Sequence, residues 1–163
     1  MVETGEESRG VKRVIRKASM RDIRHIHRLV NFYADKGAML PRPLSEICED
    51  IRNFFVCEIG GEIVGCCALQ PSWIDLAEIR SLAVDERYQG KGLGKKLVKV
   101  CLEDARSLGI RKVFALTNSP GFFERLGFER IPKEELPHKI WSECIRCPKF
   151  PNCDEVAVQK ILD

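Results

Sequence analysis

Two groups of residues in this chain of 163 residues are spaced as chemistry would require. The first is Gln89-Gly90-Lys91-Gly92-Leu93-Gly94. It follows an apolar, β-compatible run from Ala77 to Asp85 and precedes a segment where Leu97, Val98, Cys101, Leu102 and Ala105 recur at helical spacing. Strand, glycine loop and helix in that order suit an anion. Glycines let the backbone approach a ligand, and free N–H groups at a helix start attract negative charge. Phosphate is the expected ligand, with Arg87, Lys91, Lys95 and Lys96 adding positive charge beside it. The second group is Cys144, Cys147 and Cys153, a Cys-x-x-Cys hook with a further cysteine after it. A structural zinc needs one more ligand than these supply, and His138 or Cys48 is the candidate. A reduced, redox-sensitive thiol cluster is the competing reading.

Two common phosphate loops do not match the glycine loop. A P-loop would need Gly at Gln89 and Ser or Thr at Lys96, and a dinucleotide fingerprint starting at Gly90 would need Gly at Lys95. Gln-x-x-Gly-x-Gly instead resembles the acetyl-CoA pyrophosphate signature of the GNAT N-acetyltransferase superfamily, and both flanks resemble that family too. The resemblance covers about residues 11–162 and implies an α/β fold. Its mixed central sheet would splay between the strands ending AEIRSLAV and KVFALT, with helices on both faces. The pantetheine arm of acetyl-CoA would lie in the gap, bonded by main-chain groups of Leu82 and Val84. Gln89, Gly90, Gly92 and Gly94 would offer N–H groups to the pyrophosphate, with Lys91, Leu93 and Lys95 completing the loop. The segment Thr117 to Phe128 resembles the family's next landmark, and there Asn118 would bond the cofactor arm. Many members carry a tyrosine acid on the short helix that follows. Here Phe122 and Phe123 stand in its place, Phe123 either against the cofactor or, like Phe122, in simple core packing.

Acetyl transfer needs a neutral amine, whereas an α-amino group titrates near ~8, so a base is required. Glu78 is the candidate. Strand alternation is expected to put it on the same side as Leu82, and an apolar cleft would help its carboxylate hold a proton. A backbone N–H of Leu82 or Ala83 would stabilise the oxyanion of the acetyl group. The proton for the departing sulfur would come from Thr117 or from a bound water.

The stretch from Met39 to Val84, with TNSPGFFERLGF and LPHKIW, resembles the acetyltransferase domain of N-acetylglutamate synthases. That resemblance implies L-glutamate as the acceptor and Arg42 as the binder of its α-carboxylate. Lys139, Arg146 or Arg80 would supply a second cation. Two carboxylates and arginine forks are chemically matched. Longer synthases carry an upstream kinase-like domain for which the residues before Val11 leave no room, so a short stand-alone form is expected, and dimers are common in this fold.

The elements that must position these residues follow from the pattern. Residues 1–10 read as a disordered tail and 11–163 as one domain, with a cysteine-bearing segment at 138–155. A strand at Val11 to Ser19 is followed by a helix from Asp22, with Ile23, Ile26, Leu29, Val30 and Tyr33 as its stripe, and by a second helix from Ser45. Strands at Phe55 to Ile59 and Glu62 to Gln70 join at Gly60-Gly61, and a third covers Asp75 to Asp85. Then come a helix at Gly92 to Leu108, a strand at Lys112 to Thr117, a short helix at Pro120 to Leu126 and a strand at Phe128 to Ile131. Cys66, Cys67 and Cys101 lie on apolar runs and read as core. A formal charge of +3 is too mild to imply nucleic acid. No stretch is apolar enough to span a membrane, and the acidic N-terminus is not a signal sequence, so a cytoplasmic protein is expected.

Overall fold

The computed structural model describes residues 4–8, 11–137 and 155–163. In chain order the elements are β1 (Thr4–Ser8), β2 (Val11–Lys17), α1 (Ile23–Asp35), α2 (Leu44–Glu49), β3 (Phe54–Ile59), β4 (Glu62–Trp73), β5 (Leu76–Val84), α3 (Leu93–Ser107), β6 (Lys112–Thr117), α4 (Pro120–Glu124), β7 (Glu129–Ile131) and β8 (Val156–Ile161). The strands form one sheet in the order β1-β2-β3-β4-β5-β6-β8-β7. Every neighbouring pair is antiparallel except β5 with β6, which run parallel.

Periodicity explains how the helices cover both faces. On α1, Ile23, Ile26 and Val30 are buried with Ile47 of α2 against Phe54, Val56, Cys66 and Ala68 of the sheet. On the opposite face, Leu97, Val98, Cys101, Leu102 and Ala105 of α3 pack over Phe55, Cys57, Cys67 and Leu69. The three cysteines expected in the core are there, each 0% exposed. Contact between α3 and the sheet is close enough that a Cβ on Gly65 would lie 3.1 Å from Leu97 Cδ1. The β3–β4 turn uses Gly60 and Gly61 at φ 58° and 83°, the twist-matched geometry of a two-residue hairpin.

The splay expected between β5 and β6 is present. Their pairing runs from Leu76 with Lys112 to Glu78 with Phe114 and then stops, although β5 continues to Val84 and β6 to Thr117. Three expectations need correction. Residues 4–8 are not an unordered tail: Thr4 to Ser8 pair antiparallel with Ile15 to Val11, a ladder of main-chain bonds that needs no apolar side chains. The second helix starts at Leu44 rather than Ser45, because Pro43 is held extended just before it. A further strand absent from the expected order, β8, inserts between β6 and β7. Among the described residues no helix is long and apolar enough to cross a membrane.

A buried ion pair ties the start of α1 to β2. Arg16 donates from Nη1 and Nη2 to the two Asp22 oxygens at 2.7 and 3.0 Å, and the Ser19 N–H donates to Asp22 Oδ2 at 2.8 Å. Burial opposes the charged carboxylate, but the bonds from Arg16 and Ser19 outweigh it and hold the Asp22 carboxyl below its usual range. The folded value therefore lies below the unfolded one, so this contribution is complete above pH ~4 and is lost as pH falls through the folded value. Asp22→Asn leaves the Arg16 charge with only the longer 3.6 Å approach of Glu58 Oε1 and is expected to cost about 3 kcal/mol near neutral pH. Urea unfolding from neutral to acid pH checks both: the variant should be weaker at neutral pH and converge on the parent as acid is added.

Candidate functional site

A cavity of ≈ 810 Å³ opens where β5 and β6 part. The glycine loop borders one end. Gly90 and Gly92 stand at φ 76° and 81°, where side chains are strained, and Gly92 caps α3. The Lys96 N–H bonds back to the Gly92 carbonyl at 3.1 Å and opens the helical ladder, so the N–H groups of Leu93, Gly94 and Lys95 have no partner within the helix. All three residues line the cavity, as do Gln89, Gly90 and Gly92. That is a donor set for an anion. Lys91, expected at the site, is exposed outside the cavity lining, with Nζ 5.4 Å from the Tyr88 ring centroid.

Gln89 has a different job from the one its place in the motif suggests. Its N–H closes a turn on the Glu86 carbonyl at 3.4 Å instead of facing the cavity with the other amides. Its side-chain amide donates to the Tyr33 hydroxyl at 2.6 Å and to the Val84 carbonyl at 3.2 Å, and the Tyr33 hydroxyl itself donates to that same carbonyl. The Val84 carbonyl is therefore committed to locking the loop. Burial keeps the Tyr33 phenol protonated, its pKa pushed above the ordinary value, so it remains a donor at neutral pH. A Lys36–Glu86 pair at 2.7 Å fastens the same helix end to the same loop.

Between Arg80 and Ala83 the ladder to β4 slips. Cys66 pairs with Ala83 and Ala68 with Arg80, so Cys67 alone opposes Ser81 and Leu82. Ser81 stands at φ 53°, in the left-handed region uncommon for a residue other than glycine. This bulge reverses the alternation. Ala77 and Ile79 pack toward α3 before it, Leu82 and Val84 after it, and Ala83 packs toward α1 and α2. Glu78 and Leu82 are therefore on opposite faces, contrary to simple alternation. Glu78 faces the α1 and α2 side by alternation with Ala77 and Ile79, and the inserted residue carries Leu82 to the α3 side and leaves the main chain of residues 81–83 bent at the cavity wall.

Residues expected to meet the acceptor gather there. Glu78 is only 8% exposed, and the Arg80 Nε lies 3.6 Å from its Oε1. Arg42 is also buried. Its Nη2 donates to Asp50 Oδ2 at 2.5 Å and its Nη1 to the Ser81 hydroxyl at 3.4 Å. Its Nε sits 3.3 Å from Glu46 Oε2 yet makes no hydrogen bond, the direction being wrong. Two of the five guanidinium donors are thus used, and capacity for an anion remains. Across the gap, the Thr117 hydroxyl accepts the Ser119 N–H at 2.8 Å, which leaves its own proton available to donate. Asn118 lines the cavity; Phe123 reaches it but is chiefly core, edge-on to Phe122 and Phe128.

Sequence reasoning did not single out Tyr33 as polar, nor Ser81, Arg125, Lys133 and Glu155, all of which line the cavity. The β-compatible run hides the bulge, and in the helical pattern Tyr33 is one more residue of an apolar stripe. Lys139, Arg146, His138, Cys144, Cys147 and Cys153 lie outside the described residues. Among the described residues no group of three or more His, Cys, Asp or Glu could hold a metal. Burial pushes the Cys57 thiol to about 11 and the Cys66 thiol to about 12, so neither is a thiolate nucleophile at neutral pH.

Comparison with known proteins matches residues 20–128 to the acetyltransferase (GNAT) family. An uncharacterized N-acetyltransferase of Chlorobaculum tepidum is 44% identical over 148 residues, 91% of this chain and 96% of that protein. An amino-acid acetyltransferase of Mycobacterium tuberculosis is 37% identical over 144 residues, 86% of this chain and 82% of that protein. The structure of N-acetylglutamate synthase from Neisseria gonorrhoeae complexed with coenzyme A and N-acetyl-glutamate superposes with a TM-score of 0.86 at 28% identity, covering 97% of this chain and 36% of that one.

The bulge carries strain that can be measured. Ser81→Gly and Ser81→Val both remove the hydroxyl that Arg42 reaches, but only Ser81→Gly relieves the left-handed backbone, so Ser81→Val should be the less stable of the two by about 2 kcal/mol. Equilibrium urea unfolding of both variants checks the sign of the difference.

Proposed function

The chain belongs to the acetyltransferase (GNAT) family and is an acetyl-CoA-dependent N-acetyltransferase, and from that premise we propose that its acceptor is L-glutamate, converted to N-acetylglutamate at the entry to arginine biosynthesis. The observation that carries this reading is the convergence of buried Glu78 and buried Arg42 on one cavity at the parting of β5 and β6. The named activity of the Mycobacterium tuberculosis relative and the ligands of the Neisseria gonorrhoeae structure support it.

In this reading the open N–H groups of Leu93, Gly94 and Lys95, with the Lys95 charge, hold the pyrophosphate of acetyl-CoA. Main chain of the bulge meets the pantetheine arm, and Asn118 meets it from the other side. Arg42 takes the α-carboxylate of glutamate. Arg80 is the described candidate for the second carboxylate, with Lys139 and Arg146 as candidates beyond the described residues. Glu78, on the acceptor face, takes a proton from the ammonium, directly or through water. The amine nitrogen then bonds to the acetyl carbon, and a Leu82 or Ala83 N–H stabilises the charge on the carbonyl oxygen. The carbon–sulfur bond breaks as the nitrogen gives up its second proton to water, and the sulfur takes a proton from Thr117, which water restores, or from water directly. Transfer is direct, with both substrates bound together.

Release of the CoA thiol, measured with acetyl-CoA across free amino acids, amines and peptides, tests the acceptor. Glutamate-selective turnover is expected, and release only with peptides or polyamines would sink the reading. Glu78→Gln should lower kcat at least ~100-fold with little change in acetyl-CoA affinity. Tyr33→Phe, which takes one of the locks from the glycine loop, should raise the KM for acetyl-CoA about five-fold, as steady-state kinetics will show.

A further inference from the structure

Arg42 lies between two prolines, in Leu40-Pro41-Arg42-Pro43. Proline has no N–H, so Arg42 owns the one amide donor of residues 41–43. That donor and the Arg42 carbonyl both go to a single side chain. The Arg42 N–H donates to Asn31 Oδ1 at 3.2 Å, and Asn31 Nδ2 donates to the Arg42 carbonyl at 3.0 Å. The same Nδ2 donates at 2.8 Å to the His27 carbonyl, one turn back on α1. The carboxamide is thereby oriented by the helix and grips both main-chain polar groups of the arginine. Among the described residues no other hydrogen bond holds the main chain of residues 39–42.

We propose that Asn31 is a positioning residue for the acceptor: it fixes the main chain of Arg42, and so the direction from which the guanidinium enters the cavity. Asp50 and Ser81 then hold the far end of the same side chain, at Nη2 and Nη1. An arginine has many rotatable bonds, and its fork is selective only where both ends are held. Asn31 serves the root of the side chain and Asp50 its tip. Without the carboxamide the Leu-Pro-Arg-Pro loop keeps its proline-restricted backbone but loses its register against α1. The guanidinium then samples positions from which it cannot meet a carboxylate squarely. This proposal rests on the reading that Arg42 binds the carboxylate of the acceptor amino acid.

Steady-state kinetics on the full chain with L-glutamate and acetyl-CoA test it, using Asn31→Ala, Arg42→Ala and the double variant. Asn31→Ala should raise the KM for glutamate about tenfold while the KM for acetyl-CoA stays within about twofold. In the Arg42→Ala background the Asn31 substitution should add nothing further, because it acts through a side chain no longer there. A rise in both KM values together, or an effect that multiplies with that of Arg42→Ala, marks a general structural role and overturns the proposal. A raised glutamate KM in Arg42→Ala with an unchanged one in Asn31→Ala overturns this proposal alone. An unchanged glutamate KM in Arg42→Ala overturns the carboxylate role of Arg42 and the proposal with it. If Asn31→Ala does not fold, Asn31→Ser replaces it with the same expectations, its hydroxyl being too short to span both groups.

Discussion

A sheet that stops pairing in mid-strand must satisfy its main-chain groups in another way, and this requirement shapes the molecule around β5. After Glu78 and Phe114 the parallel ladder ends, and the carbonyls and amides on the inner edge of β5 no longer meet β6. The bulge at Ser81 answers part of the difficulty by twisting that edge and changing which side chains face which layer. The Val84 carbonyl is satisfied by Tyr33 and Gln89, groups from a helix and a loop in place of a strand. What remains open is lined by the N-terminus of α3 on one side and by carboxylate and guanidinium groups on the other. The cavity follows from an interrupted ladder between two packed layers.

The two ends of that cavity are tied to one helix. Asn31 and Tyr33 lie two positions apart on α1, and Asn31 reaches the Arg42 loop while Tyr33 reaches the glycine loop. The helix is itself anchored at its start by the Arg16–Asp22 pair and at its end by Lys36–Glu86. Its apolar stripe serves the core, and its remaining face positions polar groups. Asn31, ordinary helix surface by its pattern, and Tyr33, one of the stripe, therefore set the spacing between the Arg42 loop and the glycine loop.

Much of this was legible in the sequence because period-based signals are local. The stripe of α1, the Gly60-Gly61 turn, the stripe of α3 and the glycine loop each announce themselves within a few residues, and each sits where expected. The resemblance supplied the splay, which no periodicity contains. What escaped depends on partners far along the chain. The bulge is a slip between two strands, and nothing in LAEIRSLAV marks Ser81 as left-handed. The side-chain role of Gln89 depends on Tyr33, 56 positions earlier. The buried state of Glu78 is set by the layers that enclose it, since its own strand would allow an exposed carboxylate equally well.

The insertion of β8 has a consequence for the order of events in biosynthesis. Strands β6 and β7 are separated by a short helix, yet the sheet places between them a strand made from residues 156–161. Until those residues leave the ribosome, the outer edge of β6 is unpaired, while its inner edge borders the cavity. A nascent chain can complete the layers around α1 and α3 from local contacts, but the strand carrying Thr117 acquires its partner, Val156, only after 38 further residues have been added. The cleft between β5 and β6 therefore becomes rigid only after β8 has been made and docked. Its exposed strand edge in the interim is the place where a growing chain is most open to pairing with a neighbour.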